Sequence, residues 1–146
     1  MTSLHYFTIG YEAATMAEFL ASLQQAGVER ILDVRAVPNS PSPGFSKNPL
    51  KNALAEVGID YVPLKALGTP ADGRAAARAG RHDDLERIYA GQLDLPEAIV
   101  QAEQMRELAE EKPSALLCYE RDPAACHRSL LLAAVAGDAA VTHLFP

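Results

Sequence analysis

Only two cysteines, no basic N-terminal run, no apolar stretch approaching twenty residues and no excess of positive charge: these shortages of the 146-residue chain each close off a class of protein. With Cys118 and Cys126 alone, a disulfide-built scaffold is excluded. None is needed, since a chain of this length buries roughly 68–70% of the surface its unfolded form exposes and fits one domain over residues 1–146. At the N-terminus Glu12 and Glu18 stand where a signal peptide would be apolar, so secretion is not expected and the chain reads as cytoplasmic. A disulfide between the two cysteines is not expected in that compartment. The longest apolar runs, such as Leu130 to Gly137, are far short of the roughly 20 residues that cross a bilayer, so no membrane partner is expected. Thirteen basic against nineteen acidic side chains give a net charge of −6, which disfavours non-specific adhesion to nucleic acid while leaving room for a local basic pocket.

What is present is an alternation of short apolar runs and amphipathic stretches. Leu4 to Ile9 reads as a strand stopped by Gly10. Thr15 and Glu18 then form a capping box, and Met16, Phe19, Leu20 and Leu23 recur at helical spacing until Gly27. Ile31 to Val34 is a second strand, followed by a loop from Pro38 to Ser46 in which three prolines and Gly44 forbid regular structure. Ser46 is placed to cap a helix carrying Leu50, Leu54 and Val57, and Ile59 to Val62 reads as a third strand. From Leu67 to His82 helix signals are weak, and the segment reads as mobile. Helical stretches follow at Leu85 to Leu93 and Leu95 to Glu111. Ala115 to Tyr119 is a fourth strand, Asp122-Pro123 resembles an N-cap with proline at the first helical position, and Val141 to Leu144 adds a short final strand. Strands separated by helices in this order predict an α/β fold: a mainly parallel sheet with helices on both faces.

In such sheets ligands bind beyond the carboxyl ends of the strands, and here those ends carry the chemistry. The first strand exits into Tyr11 and Glu12, the second into Asp33, Arg35, Asn39 and Ser40, the third into Lys65 and Thr69. The fourth exits into Glu120, Arg121 and Asp122 ahead of Cys126, His127 and Arg128. A thiol at a helix start beside an arginine is stabilised as thiolate, which suits Cys126 to nucleophilic attack, whereas a small buried cysteine at that position would be inert; both readings stand. Glu120 is suited to general acid or base work or to a salt bridge with Arg35 or Arg121, and His127 to proton transfer or to a structural hydrogen bond. Arg35 follows Asp33 on the same face of its strand, so the pair reads equally as scaffold and as ligand clamp. Tyrosine phosphatases need an arginine six residues after the cysteine, and position 132 is Leu. No metal site is expected, because Cys118, Cys126 and His127 do not offer a converging set and the other histidines lie far apart in sequence. No cofactor is expected either. Arg74, Arg78 and Arg81 are weaker candidates for contact with an anion.

The segments TIGYE at 8–12, ILDVRAVPNSPSPGFSKNPL at 31–50, GIDYVPLKALGTP at 58–70 and LLCYERDPAACHRSLL at 116–131 resemble the DUF488 family, a group named as a domain of unknown function, along essentially the whole chain. The resemblance implies a single α/β domain with Arg35, Glu120, Cys126, His127 and Arg128 on signature positions. Many members of that family place an arginine directly after the serine that matches Ser40, where this chain has Pro41.

These observations lead to an expected small enzyme acting on an anionic or nucleotide-like substrate. Cys126, His127 and Glu120 are its catalytic candidates, and Arg35, Arg128, Tyr11 and Ser40 its substrate contacts. The alternative is a non-catalytic nucleotide- or nucleic-acid-binding module on the same residues, with nucleic acid the less favoured partner. Nothing in the pattern sets an oligomeric state.

Overall fold

The computed structural model describes residues 4–125 and 127–146. Five strands, β1 (His5–Gly10), β2 (Arg30–Asp33), β3 (Asp60–Pro63), β4 (Ser114–Cys118) and β5 (Ala140–Leu144), form one sheet in the order β3-β2-β4-β1-β5. Every pairing is parallel. Six α-helices accompany it: α1 (Met16–Ala26), α2 (Lys47–Glu56), α3 (Ala71–Arg78), α4 (His82–Leu93), α5 (Pro96–Glu111) and α6 (His127–Val135). Among the described residues no helix is long and apolar enough to cross a membrane.

The two-residue repeat of the strands sorts the core. Ile9, Ile31, Ala115 and Leu117 face one side and pack on Phe19 and Leu23 of α1 and Leu50 and Leu54 of α2. Tyr6, Leu32 and Leu116 face the other, against Tyr89 of α4, Met105 of α5 and Leu131 of α6. β4 is buried at all five positions, as a strand covered on both faces requires. The capping box at Thr15 forms as the spacing predicts, with the Thr15 hydroxyl accepting from Glu18 N at 3.1 Å and Glu18 Oε1 accepting from Thr15 N at 2.9 Å.

Three local expectations are corrected. The stretch read as mobile, Leu67 to His82, contains the helix α3 and is preceded by a 3₁₀ turn, Lys65–Leu67. Its buried positions are Gly73 and Ala76, too small to register as a hydrophobic stripe. Ser46 stands at the N-cap of α2, but its hydroxyl donates to the Ser40 carbonyl and accepts from Ser40 N, bracing the preceding loop instead of the helix. Asp122-Pro123 opens a 3₁₀ turn, Pro123–Ala125, where Asp122 Oδ1 accepts from Ala124 N at 2.9 Å; the α-helix itself starts at His127.

Candidate functional site

β4 lies between β1 and β2, and the chain leaves it towards the face opposite to the one taken after its two neighbours. A crevice therefore opens at the carboxyl ends of these three strands. A cavity of about 580 Å³ occupies it, walled by Tyr11 after β1, Arg35 to Val37 and Asn39 to Ser42 after β2, Thr69, Arg74, Ala77 and Arg78 from α3 and its approach, and Cys118, Tyr119 and Glu120 at the end of β4, with His127 and Leu85 also reaching it.

The backbone is tightly gathered on the β1 side. A Cβ on Gly10 would stand 1.9 Å from the Glu120 carbonyl oxygen, so only glycine lets the two strand exits approach so closely. Glu12 N donates to the Tyr119 carbonyl at 2.8 Å, and Arg121 N donates to Glu12 Oε1 at 3.0 Å, stitching the exits together. Gly68 plays the corresponding part on the other side, where a Cβ would stand 2.2 Å from Ala36 N.

Asp33 and Arg35 do face the same way, and they form a buried bidentate pair: Arg35 Nε and Nη2 donate to Asp33 Oδ1 and Oδ2 at 2.8 and 2.7 Å. Arg35 Nη1 also donates to Tyr11 Oη at 3.2 Å and to the Phe45 carbonyl at 2.7 Å, and Tyr61 Oη donates to Asp33 at 2.5 Å. Burial alone would lower the Arg35 pKa, but the bonds to Asp33 outweigh it and hold the guanidinium charged. Burial and the bond to Asp33 push the Tyr61 hydroxyl up. Tyr11 is stacked on Phe45 with ring centroids 4.5 Å apart and meets Tyr119 edge-on at 5.3 Å. Ser40 accepts from Ser42 N at 3.1 Å, shaping the loop that forms the opposite lip.

Glu120 is partly buried at the rim. Burial raises its pKa above the usual carboxylate range; its own backbone hydrogen bond and the charge of Arg128 act the other way, and Glu12 adds to the rise. His127 is buried at the first position of α6, with its ring edge-on to Tyr89. Its Nε2 lies 2.7 Å from the Val34 carbonyl, an acceptor only, so Nε2 carries the hydrogen. Burial is the main cause that brings its pKa down to about 4, with Arg128 contributing in the same direction and Val34 and Asp33 opposing.

Of the residues expected to act together, the cavity thus gathers Tyr11, Arg35, Ser40, Glu120 and His127. Arg128 stays out of its wall: fully buried, it donates from Nη2 to the Arg121 carbonyl at 2.9 Å and lies beneath Gly10. Cys126 lies outside the described residues. Cys118 is buried and is disulfide-bonded, which corrects the expectation of reduced thiols. Among the described residues no cluster of three or more His, Cys, Asp or Glu side chains could hold a metal ion. Tyr119 is a wall residue to which the sequence pattern assigns no role, while Thr69, expected at the exit of the third strand, does reach the wall. Arg74 and Arg78, weaker candidates by sequence because acidic residues stand nearby and no aromatics are interleaved, are aligned by α3. Their signal was the i, i+4 spacing in DGRAAAR.

Comparison with curated proteins and with solved structures finds no match. The family model described as Domain of unknown function DUF488 matches residues 15–135, and with this coverage the chain belongs to the DUF488 family.

Proposed function

We propose that this protein is a small enzyme acting on an anionic, nucleotide-like substrate in the cleft at the ends of β1, β2 and β4. The observation that carries the reading is the opposition, in one cavity, of a carboxyl whose pKa is raised by burial, Glu120, and the two arginines of α3, Arg74 and Arg78, which take part in no ion pair among the described residues. The arginines supply the attraction for the anion; Glu120, whose pKa burial raises, supplies general acid or base catalysis. Tyr11, Arg35 and Ser40 shape the wall. With Cys118 tied in a disulfide, the chemistry is placed on the carboxyl and not on a described thiol.

A second reading, a binding module without turnover, is supported by Arg35 and His127, whose polar groups are engaged in internal hydrogen bonds. A thermal-shift screen of nucleotides and phosphorylated small molecules identifies the ligand, and Glu120→Gln then separates the readings. Catalysis predicts retained binding with turnover lowered about 10²-fold or more. Unchanged turnover removes Glu120 from the mechanism, and absence of any turnover with wild-type protein leaves the binding module. A ligand-induced shift that survives Arg74→Ala and Arg78→Ala together defeats the cleft assignment.

A further inference from the structure

The cleft does not stand alone. A second cavity of about 370 Å³ adjoins it at the segment 36–39, where Ala36, Val37 and Asn39 line both. Its basic residues are Lys47, at the start of α2, and Lys65, in the 3₁₀ turn after β3; both are exposed. No carboxylate lines the second cavity, and Glu120 is the sole carboxylate lining the first, among the described residues.

Five of the other cations are ion-paired among the described residues. Arg30 and Lys112 are paired with Asp60, Arg30 also with Glu111, Arg81 and Arg87 with Asp84, and Arg35 with Asp33. Arg74, Arg78, Lys47 and Lys65 take part in no ion pair among the described residues, and neither do Lys51, Arg106 and Arg121; what sets the four apart is that they line the two cavities. In a chain of net charge −6, four unneutralised cations are thus ranged along two adjoining concavities. Concavities in which positive charge predominates focus the field and draw in anions. Tyr119, 45% exposed, adds an aromatic surface to the wall of the first cavity, and a nucleobase stacks on such a surface without regard to its identity.

From this we infer that the ligand is longer than one nucleotide: two or more nucleotide units joined through phosphate, with one unit in the cleft near Tyr119, Arg74 and Arg78 and the next phosphate carried across the 36–39 segment to Lys47 and Lys65. The inference rests on the proposed nucleotide-like ligand and extends it. Two sources share this chemistry, a dinucleotide joined by pyrophosphate and the end of a single-stranded oligonucleotide.

Fluorescence anisotropy of the full chain distinguishes them, using a labelled mononucleotide, a pyrophosphate-linked dinucleotide and a single-stranded oligonucleotide of about six residues. An extended ligand predicts binding at least about tenfold tighter than the mononucleotide for one or both longer probes. Lys47→Ala with Lys65→Ala should abolish that gain while leaving the mononucleotide unaffected, and should reduce the salt slope of oligonucleotide binding by about 1.4, the value for two lost phosphate contacts on a single strand. Arg74→Ala with Arg78→Ala should weaken every probe. A gain confined to the pyrophosphate probe identifies the dinucleotide, and one confined to the oligonucleotide identifies the strand end. Mononucleotide binding with no gain from length, or a gain that persists without the two lysines, overturns this inference and leaves the cleft reading intact. Failure of every probe to bind overturns both.

Discussion

Protonation of His127 should weaken the fold from within. The ring is 8% exposed, donates through Nε2 to Val34 and sits beside the Arg128 charge, so a second proton would place a cation where burial and Arg128 both oppose it. The unfolded chain takes that proton near the ordinary value of 6.5, and the folded chain only near 4. Because the folded pKa is the lower one, the contribution is fully present above pH 6.5 and is lost as pH falls towards 4. The gap between the two values corresponds to roughly 3 kcal/mol, of which about 2.5 kcal/mol should be lost between pH 7.5 and 4.5. Urea unfolding of wild type and His127→Gln across that range isolates it, since the other titrating groups, Glu120 included, are common to both proteins. The stability difference between the two should shift by about 2.5 kcal/mol in favour of the variant on acidification. Parallel pH profiles would refute the neutral, buried imidazole.

Three further substitutions probe the frame of the site. Gly10→Ala should cost about 3 kcal/mol and displace Glu120, because the new methyl group meets the Glu120 backbone at 1.9 Å; a loss below about 1 kcal/mol in chemical denaturation would contradict the close approach. Arg35→Leu leaves the carboxylate of Asp33 buried without its counter-charge and should destabilise by about 3–5 kcal/mol, whereas a neutral outcome would show that the pair is not a structural one. Tyr6 is fully buried, its hydroxyl finds no partner among the described residues, and burial pushes its pKa up to about 12, so Tyr6→Phe should be neutral or stabilising; a loss above about 1 kcal/mol in the same assay would reveal a hydrogen bond to that hydroxyl.

The strands and the larger helices were legible because their side chains carry the period. Phe19, Leu23, Leu50 and Leu54 mark the buried stripes of α1 and α2, and the run Ala115 to Leu117 announced a strand covered on both faces. The helix α3 was not legible, since Gly73 and Ala76 pack by being small and leave no hydrophobic stripe. At the site, the shared exit of β1, β2 and β4 could be expected from the α/β pattern, and Tyr11, Arg35, Ser40, Glu120 and His127 do meet there. Direction within the site was harder to read. Arg128 sits one residue after His127, but helical geometry turns its guanidinium under Gly10 and away from the cavity. The role of Asp33 in holding Arg35 required the alternation of a strand that continues, in side-chain direction, past its last paired residue.

The strand order also bears on how the chain assembles. Among the described residues β1 pairs only with β4 and β5, and β2 joins β1 only through β4, which begins at residue 114. The middle of the sheet is therefore the part contributed late in the chain. A nascent chain that has emerged only as far as α5 can pair β2 with β3, but β1 still has neither neighbour, and the long loops that β4 closes carry an entropic cost recovered only when it docks. Docking of β4 joins the two halves of the sheet and, in the same event, brings Glu120 over Gly10 to complete the cleft wall, so the site cannot exist before β4 has docked.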